Sequence, residues 1–343
     1  MRLKANDMAT QTIIPVSETS QIGESRRQAI RLAELAGFDE PNRGKVAIIA
    51  TELATNLVRH ARGGEIHLQT ANGSRPLSMD ITAVDRGPGM RDLSKCLADG
   101  YSTGGTAGNG LGAVRRMATE FDIHTAESGT IVFTRLNQQA AHVVDKALFQ
   151  WSVISRPAPY EVVCGDSWRI AVQADELAIL IADGLGHGPQ AAEAALGAAL
   201  AFDADPFAPP SEIVRSADSR MRGSRGGAVA STLINGRSRK LRYCGVGNIA
   251  GSIRSCNERN HRGLVSHNGI VGAQIHKIQE FEYDCPTDGL LIVYSDGLQS
   301  RWSLDAYPGL ELRHPALIAS VLFRDFTRGP DDVTVCAVRF TLD

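Results

Sequence analysis

The chain has 343 residues, about two domains' worth, because compact domains usually have roughly 100 to 200 residues. Apolar residues make up 43% and charged residues 22%, which fits globular cores and excludes collagen-like and coiled-coil proteins. The formal net charge is −2, from 36 Lys and Arg against 38 Asp and Glu. No wide basic field follows from this balance, so nucleic acid and anionic membranes are not expected partners.

The sequence predicts a cytoplasmic protein. It has no apolar run near the roughly 20 residues that cross a bilayer, and its start lacks the apolar region of a signal peptide. The six cysteines form no C-x-x-C pair and have no histidine at zinc-ligand spacing. We therefore expect reduced thiols at Cys96, Cys164, Cys244, Cys256, Cys285 and Cys336.

Helical and strand patterns alternate in the first half of the chain. Apolar residues at helical spacing predict helices at about 24–36 and 42–60. Alternating or apolar runs predict strands at 65–69, 77–84, 121–125 and 130–136. This half is therefore expected to be an α/β domain, and the polar segment at 137–146 predicts its boundary.

Strands dominate the second half. They are predicted at 151–155, 168–173, 177–182, 228–235, 240–245, 249–254 and 290–294. Two helices, near 189–204 and 211–221, interrupt them. Runs of strands broken by a helix pair indicate sheets stacked under helices.

One predicted helix carries two residues suited to nucleotide chemistry. Glu52 and Asn56 are four residues apart, which places them on one helix face. An Asn oxygen suits Mg²⁺ beside phosphates, and a Glu can polarise a hydroxyl or water. A solvated helix stripe is the alternative interpretation of the same pair.

A strand that ends in a glycine turn follows, with the sequence V-D-R-G-P-G-M. Asp85 lies where the chain leaves the sheet, and a carboxylate there can accept a hydrogen bond from an exocyclic amine such as that of adenine. Gly87 and Gly89 allow the backbone to pass close to a flat ligand. An ordinary turn is the alternative, because Asp and Gly are common in turns.

A glycine-rich segment, D-G-Y-S-T-G-G-T-A-G-N-G-L-G, then leads into a third helical run. Backbone amides at the start of a helix form a phosphate cradle. The segment lacks the preceding strand of a dinucleotide-binding motif, and a flexible loop is the alternative. Its candidate phosphate-binding residues are Gly104, Gly105, Gly108, Gly110 and Gly112.

The order of these three motifs resembles the GHKL ATP-binding fold, and most closely the RsbT-type anti-sigma serine kinases. The resemblance covers about residues 20–137. It implies that Asn56 holds Mg²⁺, Glu52 activates the attacking hydroxyl and Asp85 binds adenine. It also implies that residues 104–112 close over the phosphates. No histidine acceptor precedes the domain, so transfer to a partner's Ser or Thr is favoured over histidine autophosphorylation.

Acidic residues end apolar strands or occupy glycine turns throughout the second half. These are Asp166, Asp183, Asp296 and the pair Asp331 and Asp332. Converging buried acids repel one another unless a cation neutralises them. Oxygen ligands alone favour Mg²⁺ or Mn²⁺ over zinc, and a pair of such ions can support phosphate-ester hydrolysis. For each Asp-Gly pair taken alone, an ordinary turn is the alternative interpretation.

This pattern resembles the metal-dependent serine phosphatases of the SpoIIE and RsbX type. The resemblance implies an αββα sandwich with two Mn²⁺ or Mg²⁺ ions. It also implies ligands from Asp166, Asp183, the Gly184 carbonyl, Asp296 and Asp331, with Asp332 able to exchange roles with Asp331. His187, in the turn G-L-G-H-G, is either a general acid or the donor of a local hydrogen bond.

The sequence thus predicts an ATP-binding kinase domain at 1–138, a linker at 139–147 and a phosphatase domain at 148–343. The family resemblance implies a STAS-type anti-anti-sigma protein or a stressosome-like component as partner, and through it control of a sigma factor. Two alternatives remain: a nucleotide-binding partner switch, and an ATP-sensing domain that controls the phosphatase without transferring phosphate.

Overall fold

The structure is a computed structural model and describes residues 11–71, 77–97, 110–139, 148–256 and 261–342. The chain divides into two compact units, Met1–Asp145 and Lys146–Asp343. Apart from Gln139, the predicted linker lies outside the described residues. All six cysteines are free thiols. Among the residues described, no helix combines the length and the apolar character needed to cross a bilayer.

The first unit is an α/β sandwich built on one antiparallel sheet. Its elements are β1 (Gln11–Val16), α1 (Thr19–Leu35), α2 (Glu40–Asn56), a π-helical turn (Leu57–Ala61), β2 (Gly64–Ala71), β3 (Ser78–Asp85), α3 (Leu93–Leu97), α4 (Gly110–Met117), β4 (Glu120–Ala126) and β5 (Gly129–Asn137). The strand order is β1-β2-β3-β5-β4. This architecture confirms the fold predicted for the first half.

Local sequence sets where the two long helices begin. The Gln21 side chain accepts hydrogen bonds from the N–H groups of Ser17 (2.6 Å) and Glu18 (2.8 Å) at the start of α1. At the start of α2, Asp39 Oδ1 accepts from the Asn42 N–H at 2.9 Å. Such caps satisfy amide groups that have no partner within the helix. Both helices then bury one side against the sheet in a single apolar core.

The second unit has four layers. Its larger elements are β6 (Phe149–Arg156), β7 (Asp166–Gln173), β8 (Glu176–Gly184), α5 (Pro189–Ala204), α6 (Pro210–Met221), β9 (Gly227–Asn235), β10 (Lys240–Val246) and β11 (Ala250–Ser255). They continue with β12 (His261–Leu264), β13 (Ser266–His267), β14 (Gly269–Ile270), β15 (Gln274–Ile275), β16 (Phe281–Asp284), β17 (Asp288–Tyr294), α7 (Pro315–Phe326) and β18 (Val333–Thr341).

Two sheets form the centre of this unit. One has the order β13-β10-β9-β8-β7 with β16 beside β10, and the other has the order β12-β11-β17-β18-β6. Strand β8 is apolar on both faces: Ile179 faces the core between the sheets, whereas Leu180 packs with α5 and α6. Helix α7 packs on the second sheet through β6 and β18. The predicted αββα sandwich is therefore confirmed.

Candidate ATP site and metal centre

Helix α2 presents Glu52 and Asn56 in its last two turns, and both residues are half-buried. Within the part of the chain that the structure describes, no hydrogen bond or ion pair engages either side chain. The two side chains share one face of α2, as their spacing predicts. A ligand-binding role for the pair stays a prediction.

A π-helical turn extends the helix immediately after Asn56. It covers Leu57–Ala61, and the Arg62 N–H closes it by donating to the Leu57 carbonyl. The Gly63 N–H donates to the same oxygen at 3.0 Å. The chain leaves the turn through Arg62, whose φ is 60°. Single π-helical turns occur often at functional sites, because the extra residue redirects the side chains of the preceding turn.

Asp85 lies at the end of β3, and backbone donors fix the orientation of its carboxylate. Its Oδ1 accepts from the N–H groups of Gly87 at 2.7 Å and Thr130 at 3.0 Å. Gly89 has a φ of +70°, and a Cβ there would lie 2.2 Å from the Ala126 carbonyl oxygen. The second glycine of V-D-R-G-P-G-M is therefore a steric requirement of this turn.

The glycine-rich segment is described only in part. Gly110 and Gly112 belong to α4, which packs against α2. Gly104, Gly105 and Gly108 lie outside the described residues. The described part places α4 against the helix that carries Glu52 and Asn56. A phosphate-binding role for this segment stays a prediction.

The acids of the second unit meet at one end of the two sheets. Asp166 begins β7 and pairs with Asp183 near the end of β8. Ser295 follows β17 and donates from its hydroxyl to Asp166 Oδ2 at 2.7 Å, which links the two sheets. Asp296 comes next in the chain and accepts from Asn248 Nδ2 at 2.6 Å.

The pair Asp331 and Asp332 joins the same group just before β18. Asp331 is half-buried, and its Oδ1 accepts from the Asp332 N–H at 2.9 Å. Asp332 is buried, and its Oδ1 accepts from the Ala158 N–H at 2.8 Å. The more exposed Asp331 is thus the better placed of the two to bind an ion that also contacts solvent.

The electrostatics of these acids fit a bound cation. Burial, with the charges of Asp166 and Asp296, raises the pKa of Asp183 to about 9. Burial raises the pKa of Asp166 to about 7, although hydrogen bonds from Ser295 oppose the shift. Burial and the nearby Asp331 charge raise the pKa of Asp296 as well. A divalent cation would stabilise the ionised forms that burial and repulsion disfavour.

Two buried carboxylate oxygens, Asp166 Oδ1 and Asp332 Oδ2, have no hydrogen-bond partner among the described residues. No three His, Cys, Asp or Glu side chains in those residues converge as a preformed cluster around one point. Carboxylate oxygens are the donors that hard divalent ions such as Mg²⁺ prefer. The donor set therefore fits hard divalent ions.

Gly184 connects the acids to α5. A Cβ at this position would lie 2.0 Å from the Ala191 carbonyl oxygen, so the backbone after Asp183 runs directly against the helix. The Gly184 N–H donates to the Gly165 carbonyl at 3.2 Å. Only glycine allows this close approach, which keeps the strand end and the helix start together at the acids.

His187 has a partner that the sequence did not predict. Its Nδ1 lies 2.6 Å from Oε1 of Glu161, 26 residues earlier, rather than bonding within its own turn.

Sequence reasoning also missed the roles of Asn248 and Ser295 in orienting Asp296 and Asp166. Asn248 lies in the motif G-V-G-N-I and Ser295 in S-D-G-L, so both motifs could have indicated these residues. No pattern around Glu161 indicates its contact.

The raised pKa of Asp183 predicts a pH-dependent stability for the metal-free protein. The folded state binds more protons than the unfolded state between about pH 4 and pH 9, so the free energy of unfolding falls as the pH rises through this window. The thermal transition of the second unit is the one whose melting temperature Mn²⁺ raises. In chelator, we expect this melting temperature to fall by about 4 °C or more between pH 5.5 and pH 8, since each kcal/mol corresponds to roughly 2–4 °C.

The variant Asp183→Asn removes this titration and should flatten the pH dependence in chelator. Asp305→Asn, at an exposed position, serves as the matched control. An equal loss of melting temperature in Asp183→Asn and wild type would contradict the assignment of the effect to Asp183.

The two units define a class: an ATPase-like α/β domain followed by an αββα domain of the SpoIIE phosphatase type. Comparison with known families agrees. Residues 16–136 match the histidine kinase-like ATPase domain, and residues 173–341 match the stage II sporulation protein E (SpoIIE) family.

Two curated relatives match the two units separately. The serine/threonine-protein kinase RsbT of Bacillus subtilis (strain 168) is 30% identical over 124 residues, which cover 36% of this chain and 93% of that protein. The phosphoserine phosphatase RsbX of the same organism is 28% identical over 139 residues, which cover 40% of this chain and 68% of that protein. The chain therefore belongs to the RsbT family through its first unit and carries a SpoIIE-type phosphatase domain in its second.

Solved structures support the fold. A chain from a study of the bacterial stressosome superposes with a TM-score of 0.52 and 24% identity, over 56% of this chain and 99% of that one. RsbX in complex with magnesium gives a TM-score of 0.50 and 21% identity, over 57% of this chain and 98% of that one.

Proposed function

We propose that the protein is a bifunctional signalling enzyme: its first unit phosphorylates a serine of a partner protein with ATP, and its second unit removes phosphate from a phosphoserine. The partner we propose is a STAS-type anti-anti-sigma protein or stressosome-like component, and the outcome is control of a sigma factor in the cytoplasm. RsbT and RsbX, named a serine/threonine-protein kinase and a phosphoserine phosphatase, support the two activities separately.

In the kinase reaction, Asp85 would accept a hydrogen bond from the adenine amine, and its fixed carboxylate suits that role. Asn56 would hold Mg²⁺ through its amide oxygen. Glu52 would accept the proton of the attacking serine hydroxyl as the serine oxygen bonds to the γ-phosphorus and the bond to the β-γ bridging oxygen breaks. ADP would leave with the bridging oxygen.

In the phosphatase reaction, two Mg²⁺ or Mn²⁺ ions would be held by Asp166, Asp183, Asp296, Asp331 and the Gly184 carbonyl. When bound, such ions supply Lewis-acid stabilisation and a more acidic attacking water. Ser295 orients Asp166, and Asn248 orients Asp296, so both carboxylates are positioned before the substrate arrives. RsbX, whose crystal form in the comparison is a magnesium complex, supports this choice of ion.

The observation that carries the proposal is the presence of both polar sites in one chain. Because one chain carries both sites, the product of one site meets the other at an effective concentration above that of the bulk solution. We propose that both activities act on the same serine of one bound partner.

The direct test incubates the purified full chain with γ-labelled ATP and candidate STAS proteins, with and without Mn²⁺. We expect label on a partner serine, and Mn²⁺-dependent release of that label. ATP binding without transfer would instead establish the nucleotide-binding switch. Hydrolysis that ATP modulates without any transfer would establish the ATP sensor.

A further inference from the structure

Four exposed apolar side chains lie beside the acids of the second unit. Tyr160, Val162 and Val163 occupy the loop between β6 and β7, and Leu185 follows Asp183 and Gly184 directly. Val162 is 94% exposed and Leu185 is 53% exposed. We call these four residues the apolar rim. Single exposed apolar residues are ordinary, whereas several of them on one loop and an adjoining turn, beside a candidate active site, favour a role in binding.

The loop that carries the rim is anchored to the acids. The Ala158 N–H donates to Asp332 Oδ1 at 2.8 Å, and Glu161 bonds to His187 in the turn that follows Asp183. The Cys164 sulfur lies 3.4 Å from the Ser155 hydroxyl oxygen. These contacts fix both ends of the loop and its middle, so the exposed side chains are held at a defined place beside the site.

The backbone at Tyr160 is strained. Its φ is 71°, in the left-handed region that a non-glycine residue with a bulky side chain rarely adopts. Its ring is fully exposed and therefore gains nothing from packing within the unit. Strained residues persist mainly where the surrounding structure fixes them, often at ligand-binding sites. The strain is thus explained if the ring contacts a ligand.

A positive charge lies at the same edge. The Arg225 Nη1 would be 2.9 Å from a Cβ built on Gly186, so the guanidinium lies against the turn between Leu185 and His187. Guanidinium groups bind phosphate oxygens well. The guanidinium and the apolar rim lie on the same side of the acid group. Together they are complementary to a phosphate group that has apolar side chains next to it.

We propose that the apolar rim docks the protein segment that carries the phosphoserine, so that the second unit prefers phosphoserine flanked by apolar residues. The proposal rests on the phosphatase function proposed above. It assigns substrate selection to Tyr160 and Val162, outside the residues that would hold the ions.

The test compares two phosphoserine peptides of equal length and charge, one with Leu and Val beside the phosphoserine and one with Asn and Ser. With the full chain and Mn²⁺, we expect kcat/KM to be about 10-fold higher for the apolar peptide, the scale of a few apolar contacts. In the double variant Tyr160→Ser/Val162→Ser this ratio should fall to about 2-fold or less. Leu200→Gln, at an exposed apolar position in the last turns of α5, should keep the wild-type ratio.

A wild-type ratio near one, or an unchanged ratio in the double variant, would overturn the docking proposal. If wild type hydrolyses neither peptide, the proposed phosphatase function fails. The docking proposal is then decided by the ratio of the two dissociation constants, measured by fluorescence anisotropy in chelator. A change in sedimentation from dimer to monomer in the double variant, with the peptide ratio intact, would assign the rim to contact between two copies and reject it as a substrate dock.

Discussion

Replacement of Glu52 by Ala is expected to slow phosphoryl transfer from ATP to the partner serine by about 100-fold or more, the usual cost of losing a general base. ATP affinity should change little, because Glu52 would act on the acceptor hydroxyl and Asp85 would bind the base. Asn56→Ala should instead weaken Mg²⁺-ATP binding, since it removes a ligand of the ion. Labelled-ATP transfer and equilibrium ATP binding separate these two effects.

The control for Glu52→Ala is Glu34→Ala, which replaces an exposed glutamate of α1 that forms a surface ion pair with Arg43. Surface pairs contribute little to stability, so this variant should transfer phosphate like wild type. A wild-type transfer rate in Glu52→Ala, with the fold intact, would remove Glu52 from the role of base. It would favour the nucleotide-binding switch, which needs no base at this position.

Replacement of Asp183 by Asn is expected to abolish hydrolysis of phosphoserine, because it removes a charged ligand from the centre of the acid group. Chelation of wild type should have the same effect reversibly, with Mn²⁺ or Mg²⁺ restoring activity and zinc restoring it poorly. Asp305→Asn is the matched control at an exposed site. The measurement is phosphate release from a phosphoserine protein.

Hydrolysis that persists in exhaustive chelator would contradict the metal-dependent mechanism. Full activity of Asp183→Asn in Mn²⁺ would exclude Asp183 as a required ligand. Neither result would bear on the αββα fold, because the Asp183 side chain is not part of the core between the sheets.

The sequence was most informative where chemistry and secondary structure coincide. An acid at or just beyond the end of an apolar strand, as at Asp183 and Asp296, indicates the end of the strand and predicts a functional site. The strands and the helix pair between them indicated sheets stacked under helices, and the resemblance to the SpoIIE and RsbX phosphatases implied the αββα arrangement. The roles of the individual site residues remain predictions, because they depend on ligands and not on the fold.

Other features lacked a local signal. Helix α7 was not predicted, because its residues are buried almost all round and show no polar face from which a helical period could be recognised. Strand β1, at one edge of the first sheet, was not predicted either. The pairing of His187 with Glu161 depends on the approach of two loops, which no residue spacing encodes.

The central claim is that both units act on one serine, and phosphoserine mapping by mass spectrometry tests it most directly. The full chain and its Asp183→Asn variant are each incubated with ATP, Mg²⁺, Mn²⁺ and the partner protein. We predict one modified serine, with low occupancy for wild type and high occupancy for Asp183→Asn, and loss of phosphate from that same serine when wild type is added after ATP is removed. Modification of one residue by the first unit, with clearance of only a different residue or a different protein by the second, would contradict the account.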